Sequence, residues 1–307
     1  MRFFLNGDLK IKPVKIAIII FLIFIILFWI ANVLHFWLKF DFSINRIEHY
    51  FFGDQDFPET IPIANILEET HINLFIVGVL FLCLSALIIY SKITDFIKTY
   101  FIIYLALSSL LYAGSDLIII QLGRDFSSLK LYAFIIYQIN ILLSILISFK
   151  VNDHNSNRKK LLSLIIFIFA FFNLIFVTIN FFTYSEKIGL SFNNTLEYYL
   201  GNADKFIKGK TISGLMLIST MHFIPMAIYI FTLLHFIFIL NERYNITLTV
   251  LTFISAFFDN VSGFLIILYS KYFSYLKLLS FITLEVLLIL CSLFIFFNLI
   301  RNKSLLK

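Results

Sequence analysis

Charge is what this sequence has least of. Only 14% of its 307 residues are charged, against 61% hydrophobic, whereas a soluble domain carries about 25% charged residues. Such a chain cannot clothe a soluble core in polar groups, so a soluble globular protein is excluded. Cysteine is scarce too. Cys83 and Cys291 each lie inside an apolar run, which leaves no disulfide framework and no CxxC metal pair. Ten Gly and four Pro are few, which counts against large rocking motions built on interrupted helices. HExxH, Walker A, GxGxxG and GxSxG patterns are all missing. The net charge of +6 is not a nucleic-acid signature, because basic residues in a membrane protein mark its cytoplasmic side.

The apolar residues fall in unbroken runs long enough to cross about 30 Å of hydrocarbon as helix. They predict an all-α integral membrane protein with eight spans, at 16–37, 72–90, 99–121, 131–149, 161–183, 217–240, 247–269 and 278–300. The first run is too long for a signal-peptide core and has no cleavage site after it, so it reads as an uncleaved span. With the N-terminus inside, the cytoplasmic segments carry 14 Lys+Arg and 4 Asp+Glu, and the outer segments 10 and 11. Both termini are therefore expected in the cytoplasm, with the basic stretch around Arg158, Lys159 and Lys160 as the strongest marker.

The two halves, 1–155 and 156–307, resemble each other as two parallel repeats of four helices. Phe126-Ser127-Ser128-Leu129-Lys130-Leu131 matches Phe273-Ser274-Tyr275-Leu276-Lys277-Leu278, each between the third and fourth spans of its half. At the same offset Ser108 meets Ser255, Tyr112 meets Asp259, Ser115 meets Ser262 and Gln138 meets Glu285. Ile47-Glu48-His49-Tyr50 resembles Leu196-Glu197-Tyr198-Tyr199, and Thr70-His71 parallels Met221-His222. An even number of spans per repeat gives both halves one orientation.

Few residues in the spans can carry chemistry, and ionisable groups there are costly. Thr252, Ser255, Asp259 and Ser262 share one helix face, and Ser108, Tyr112 and Ser115 form the matching stripe, with Ser109 and Asp116 alongside. Glu285 lies in the last span, where a carboxyl group favours its neutral form. It reads either as a proton carrier or as a hydrogen-bond donor between helices. His71 and His222 are equivalent in the repeat and are candidate ligands for a b-type haem iron or a transition metal. Glu68 and Glu69 stand close enough in sequence to orient His71, and Pro225 interrupts the backbone donors near His222. His235 falls on a different face. Asn193-Asn194-Thr195 and Asn245-Ile246-Thr247 fit the glycosylation pattern.

The run Thr70-His71-Ile72-Asn73-Leu74-Phe75, with the later polar stripe, resembles a group of bacterial multi-pass inner-membrane proteins in which a T-H-x-H-L-F-like sequence opens a span. Asn73 stands where the second His of that motif would be. The resemblance implies a bacterial inner-membrane protein and supplies no activity. Three readings follow. One is a redox protein holding haem b or a metal between His71 and His222. Another is a proton-coupled transporter using Asp259 and Glu285. The third is a structural subunit that packs, in the lipid bilayer, against membrane-protein partners or copies of itself.

Overall fold

The computed structural model describes residues 12–54, 58–148, 158–240 and 246–301. Among them are eight helices long and apolar enough to cross a membrane. In hydrocarbon every backbone N–H and C=O must find its partner within the chain, and a helix achieves this inside one segment.

The long helices are α1 (Lys12–Phe40), α3 (Ile63–Ile89), α4 (Asp95–Leu122), α5 (Ser128–Ser148), α6 (Arg158–Lys187), α8 (Ile212–Leu240), α9 (Ile246–Leu268) and α10 (Phe273–Arg301). Two short helices complete the set, α2 (Ile44–Phe52) and α7 (Phe192–Leu200). Helix α3 begins nine residues upstream of the expected span, so His71 lies well inside a helix rather than at its opening. Helix α8 runs unbroken through Pro225.

Packing divides the chain into two units at Phe169/Ala170, inside α6. The expected boundary at 155/156 lies outside the described residues, as does Asn245 of the second glycosylation pattern. In the first unit α3, α4 and α5 pack on one another, with α1 and α2 against α5. In the second, α8, α9 and α10 form the same three-helix core, with α7 against α9 and α10. One ring pair recurs. Phe36 of α1 stacks on Phe134 of α5 at 3.8 Å, and Tyr184 of α6 stacks on Phe281 of α10 at 3.7 Å. Phe134 and Phe281 are 147 positions apart, and Phe36 and Tyr184 148 apart.

The short helices correct the repeat register by one residue. Ser43 caps α2 by accepting from the Arg46 N–H, and Ser191 caps α7 by accepting from the Asn194 N–H. Each helix ends on a glycine at positive φ, Gly53 (69°) and Gly201 (81°). Only glycine adopts that conformation without cost. The buried faces agree, Ile47 and Phe51 in one and Thr195 and Tyr199 in the other. Caps and buried face set the offset at 148. The expected match of Glu48 with Glu197 is therefore a likeness of letters. Glu48 faces Arg124 at 3.4 Å and Glu197 faces Lys205 at 2.8 Å. Beyond α7 the chain forms a small hairpin, β1 (Gly201–Asn202) with β2 (Ile207–Lys208).

Candidate functional site

Each unit buries an ion pair where its third and fourth long helices meet. In the first, Lys130 Nζ of α5 lies 2.6 Å from Asp116 Oδ1 of α4, with side chains 5% and 3% exposed. In the second, Lys277 Nζ of α10 lies 2.6 Å from Asp259 Oδ1 of α9, at 9% and 13%, and also donates to the Asp259 carbonyl. The lysines are equivalent in the repeat; the carboxylates are not. Asp116 corresponds to Gly263, and Asp259 corresponds to Tyr112, one helical turn away. Each vacated position is filled. Lys130 lies 4.9 Å over the Tyr112 ring. At Gly263 the Tyr199 ring of α7 closes in so far that an added Cβ would meet its Cε1 at 2.7 Å.

The lysines were visible in the repeated motif but were read only as loop charges. The hydroxyls of the two stripes mostly serve their own helices. Ser108, Ser115, Thr252 and Ser262 each donate to a carbonyl of the same helix, and Ser255 is buried beside them. Ser115 also reaches Asp116 Oδ1 at 3.4 Å.

Glu285 is 4% exposed in α10. Its Oε1 accepts from Asn180 Nδ2 of α6 at 2.5 Å, and its Oε2 has no hydrogen-bond partner among the described residues. Asn180 is a residue the sequence reading missed. Its repeat equivalent, Asn32, faces the Tyr112 hydroxyl. Gln138, the counterpart of Glu285, is buried with both side-chain polar atoms unpartnered among the described residues, while its carbonyl accepts from Trp29 Nε1.

His222 is exposed, and its Nδ1 sits 2.7 Å from the Ile218 carbonyl. His71 is half-buried. Glu69 accepts from Tyr50 Oη at Oε1, 2.8 Å, and Lys39 Nζ reaches its Oε2 at 3.1 Å. Burial first, then the Glu69 hydrogen bond and charge, hold the Tyr50 phenol above its ordinary range. No group of three or more His, Cys, Asp or Glu side chains suited to a metal occurs among the described residues.

The interiors of the two units differ more than their ion pairs do. In the second, one polar network ties α6, α8 and α10. Asn173 of α6 donates to the Leu288 carbonyl and to Ser292 Oγ, Tyr229 of α8 donates to Asn173 Oδ1, and Ser292 donates to the Ala170 carbonyl. In the first, Ser85, Ser109, Tyr137, Asn140 and Ser144 are at most 1% exposed, and their side-chain polar atoms have no hydrogen-bond partner among the described residues. Each such group left dry costs about 1–3 kcal/mol. Five of them together rival the whole stability of a fold, about 5–15 kcal/mol.

A family described as a transmembrane helical domain, Aq_1264_TM, matches residues 41–159 and 189–305. The chain belongs to the Aq_1264_TM family. The two matched segments start 148 residues apart and end 146 apart, in step with the offsets set by caps and ring pairs. Each Aq_1264_TM segment contains one short helix and the three-helix core that follows it. Helix α1 and most of α6 precede these segments. The family places the chain among multi-pass membrane proteins. The comparisons with curated proteins and with solved structures gave no match.

Proposed function

We propose that this multi-pass membrane protein is a proton-coupled carrier in which Glu285 binds the transported proton. One observation carries the reading: a carboxyl group buried inside a helix of the membrane, with one oxygen held by Asn180 and the other unpartnered among the described residues. Asn180 gives the carboxylate a fixed donor, and the second oxygen is a place for a proton. Intramembrane carboxylates of this kind serve as proton relays. The two Lys–Asp pairs have a different part. Each acid already has its cation at 2.6 Å, so they brace the helices rather than exchange protons. Asp259 thus leaves the coupling role to Glu285.

The test is proton flux in liposomes containing a trapped pH dye and driven by a potassium diffusion potential. Flux is expected with the intact protein, lost in Glu285→Gln and retained in Glu285→Asp. Equal flux in Glu285→Gln and the unaltered protein would sink the proposal.

A second reading, a haem- or metal-binding redox protein, has one observation in its favour. The Nδ1 of His222 is engaged by the Ile218 carbonyl, which is how a ligating histidine is commonly oriented so that Nε2 faces its metal. A Soret band in the purified protein, lost in His71→Ala and in His222→Ala, is the expected result under that reading. A colourless, metal-free preparation removes it.

A further inference from the structure

The first unit's unpartnered polar groups are ordered in space. Tyr137, Asn140 and Ser144 follow one another at spacings of three and four on α5, which sets them on a single helix face over about 10 Å. Ser148 continues the face and is satisfied by the Ser144 carbonyl. The neighbouring helices add Ser85 of α3 and Ser109 of α4, both fully buried. Ser85 and Ser144 each lie four residues before the end of their helix. Helices α3 and α5 end on the same side of the unit, so the seam runs from mid-helix toward that side.

The second unit shows that packing does not require these residues. At the repeat offsets of 147 and 151, Tyr137, Asn140 and Ser144 become Leu284, Leu287 and Cys291, Ser109 becomes Ala256 and Ser85 becomes Phe236. All five are buried in their own unit. One architecture is thus built once with a dry lining and once with a polar one. Polar groups with no protein partner in a low-dielectric interior need water or a solute to bond them.

We infer that the first unit encloses a hydrated seam along Tyr137, Asn140 and Ser144 that admits a small, uncharged, hydrogen-bonding solute. The lining supplies a phenol, a carboxamide and hydroxyls, and none of these carries a charge. The nearest ion pair, Lys130–Asp116, is self-neutralised at 2.6 Å. Its lysine lies over the Tyr112 ring, which stacks on Tyr137 with centroids 5.0 Å apart. The inference is independent of the Glu285 reading, because no seam residue belongs to the second unit.

The repeat supplies its own control, since Cys291 occupies the position of Ser144. In a Cys83→Ala background, the full-length protein carrying Ser144→Cys is treated in detergent with hydroxyethyl methanethiosulfonate, a small neutral reagent, and modification of each thiol is followed by mass. A thiol must ionise to react, which a wet site permits and an apolar one suppresses. The introduced thiol is expected to react about tenfold faster or more than Cys291. Adding Asn140→Leu, the second unit's own residue type there, is expected to slow that labelling toward the Cys291 rate without lowering the melting midpoint. Equal rates at the two thiols overturn the inference. So does a fall in melting midpoint with Asn140→Leu, because the seam would then be packing polarity rather than a solute space.

Discussion

Removing one member of a buried ion pair leaves the other charge without its partner, and the two lysines make this testable at single residues. Lys130 and Asp116 are nearly inaccessible, so Lys130→Met strands a carboxylate in a medium that solvates it poorly. The expected loss is about 3–5 kcal/mol, read as a lowered melting midpoint in detergent. Lys130→Met combined with Asp116→Asn should recover much of that loss, since no charge then remains buried. A double variant as unstable as the single one would show that the lysine stem's packing, not its charge, holds the helices. Glu285 differs in kind, with an amide rather than a cation against it. Glu285→Gln keeps the shape and one hydrogen-bonding oxygen, and is expected to leave the melting midpoint almost unchanged while removing proton flux. That separation of stability from flux distinguishes a proton site from helix glue.

At the scale of elements, the units solve one problem with the carboxylate a turn apart, and the exchange is asymmetric. Asp116→Gly alone should destabilise the first unit, and adding Tyr112→Asp should restore much of the loss by supplying the carboxylate where Asp259 stands in the second. The reverse move is blocked, because any side chain at 263 meets the Tyr199 ring. Gly263→Ala is expected to cost about 1–3 kcal/mol by overpacking, and Tyr199→Ala in the same chain should relieve it. The α7 segment carries a pH dependence of its own. Lys205 first, then Asn202, hold the half-buried Glu197 carboxyl below its ordinary value of 4.5. A carboxylate with a depressed folded pKa adds stability above its unfolded value, and that addition is lost as pH falls through the folded one. The protection of the α7 amides against hydrogen exchange, corrected for the intrinsic pH dependence of exchange, should fall on acidification in the unaltered protein and respond less in Glu197→Gln. The long helices were readable from sequence because hydrocarbon dictates their length. Helices α2 and α7 were not, being nine residues each and marked only by a serine cap and a final glycine. Lys130 and Lys277 stood in the repeated motif, yet their placement just outside the apolar runs made them look like loop charges. The polar seam escaped because the halves were compared for likeness, and Asn140 and Ser144 are positions where they differ.

For the whole molecule, orientation decides what these features face. Helices α1 and α4 end on one side of the first unit, and α3 and α5 on the other. Over the whole sequence, the segments expected inside carry 14 Lys+Arg with 4 Asp+Glu, and those expected outside 10 with 11. Lysine and arginine excess marks the cytoplasmic side. In the first unit, α2 and the Lys130–Asp116 pair would then face outward, while the seam past Ser144 would open toward the cytoplasm. Reporter fusions test this directly. Alkaline phosphatase, active only outside the cytoplasm, should be active when inserted in the hairpin near Lys205 and inactive when fused after Arg301. A fluorescent protein that matures in the cytoplasm should give the opposite pattern. Phosphatase activity at the C-terminal fusion would reverse the orientation. It would also turn the Ser144 end of the seam outward, so that a solute entering there would come from outside the cell.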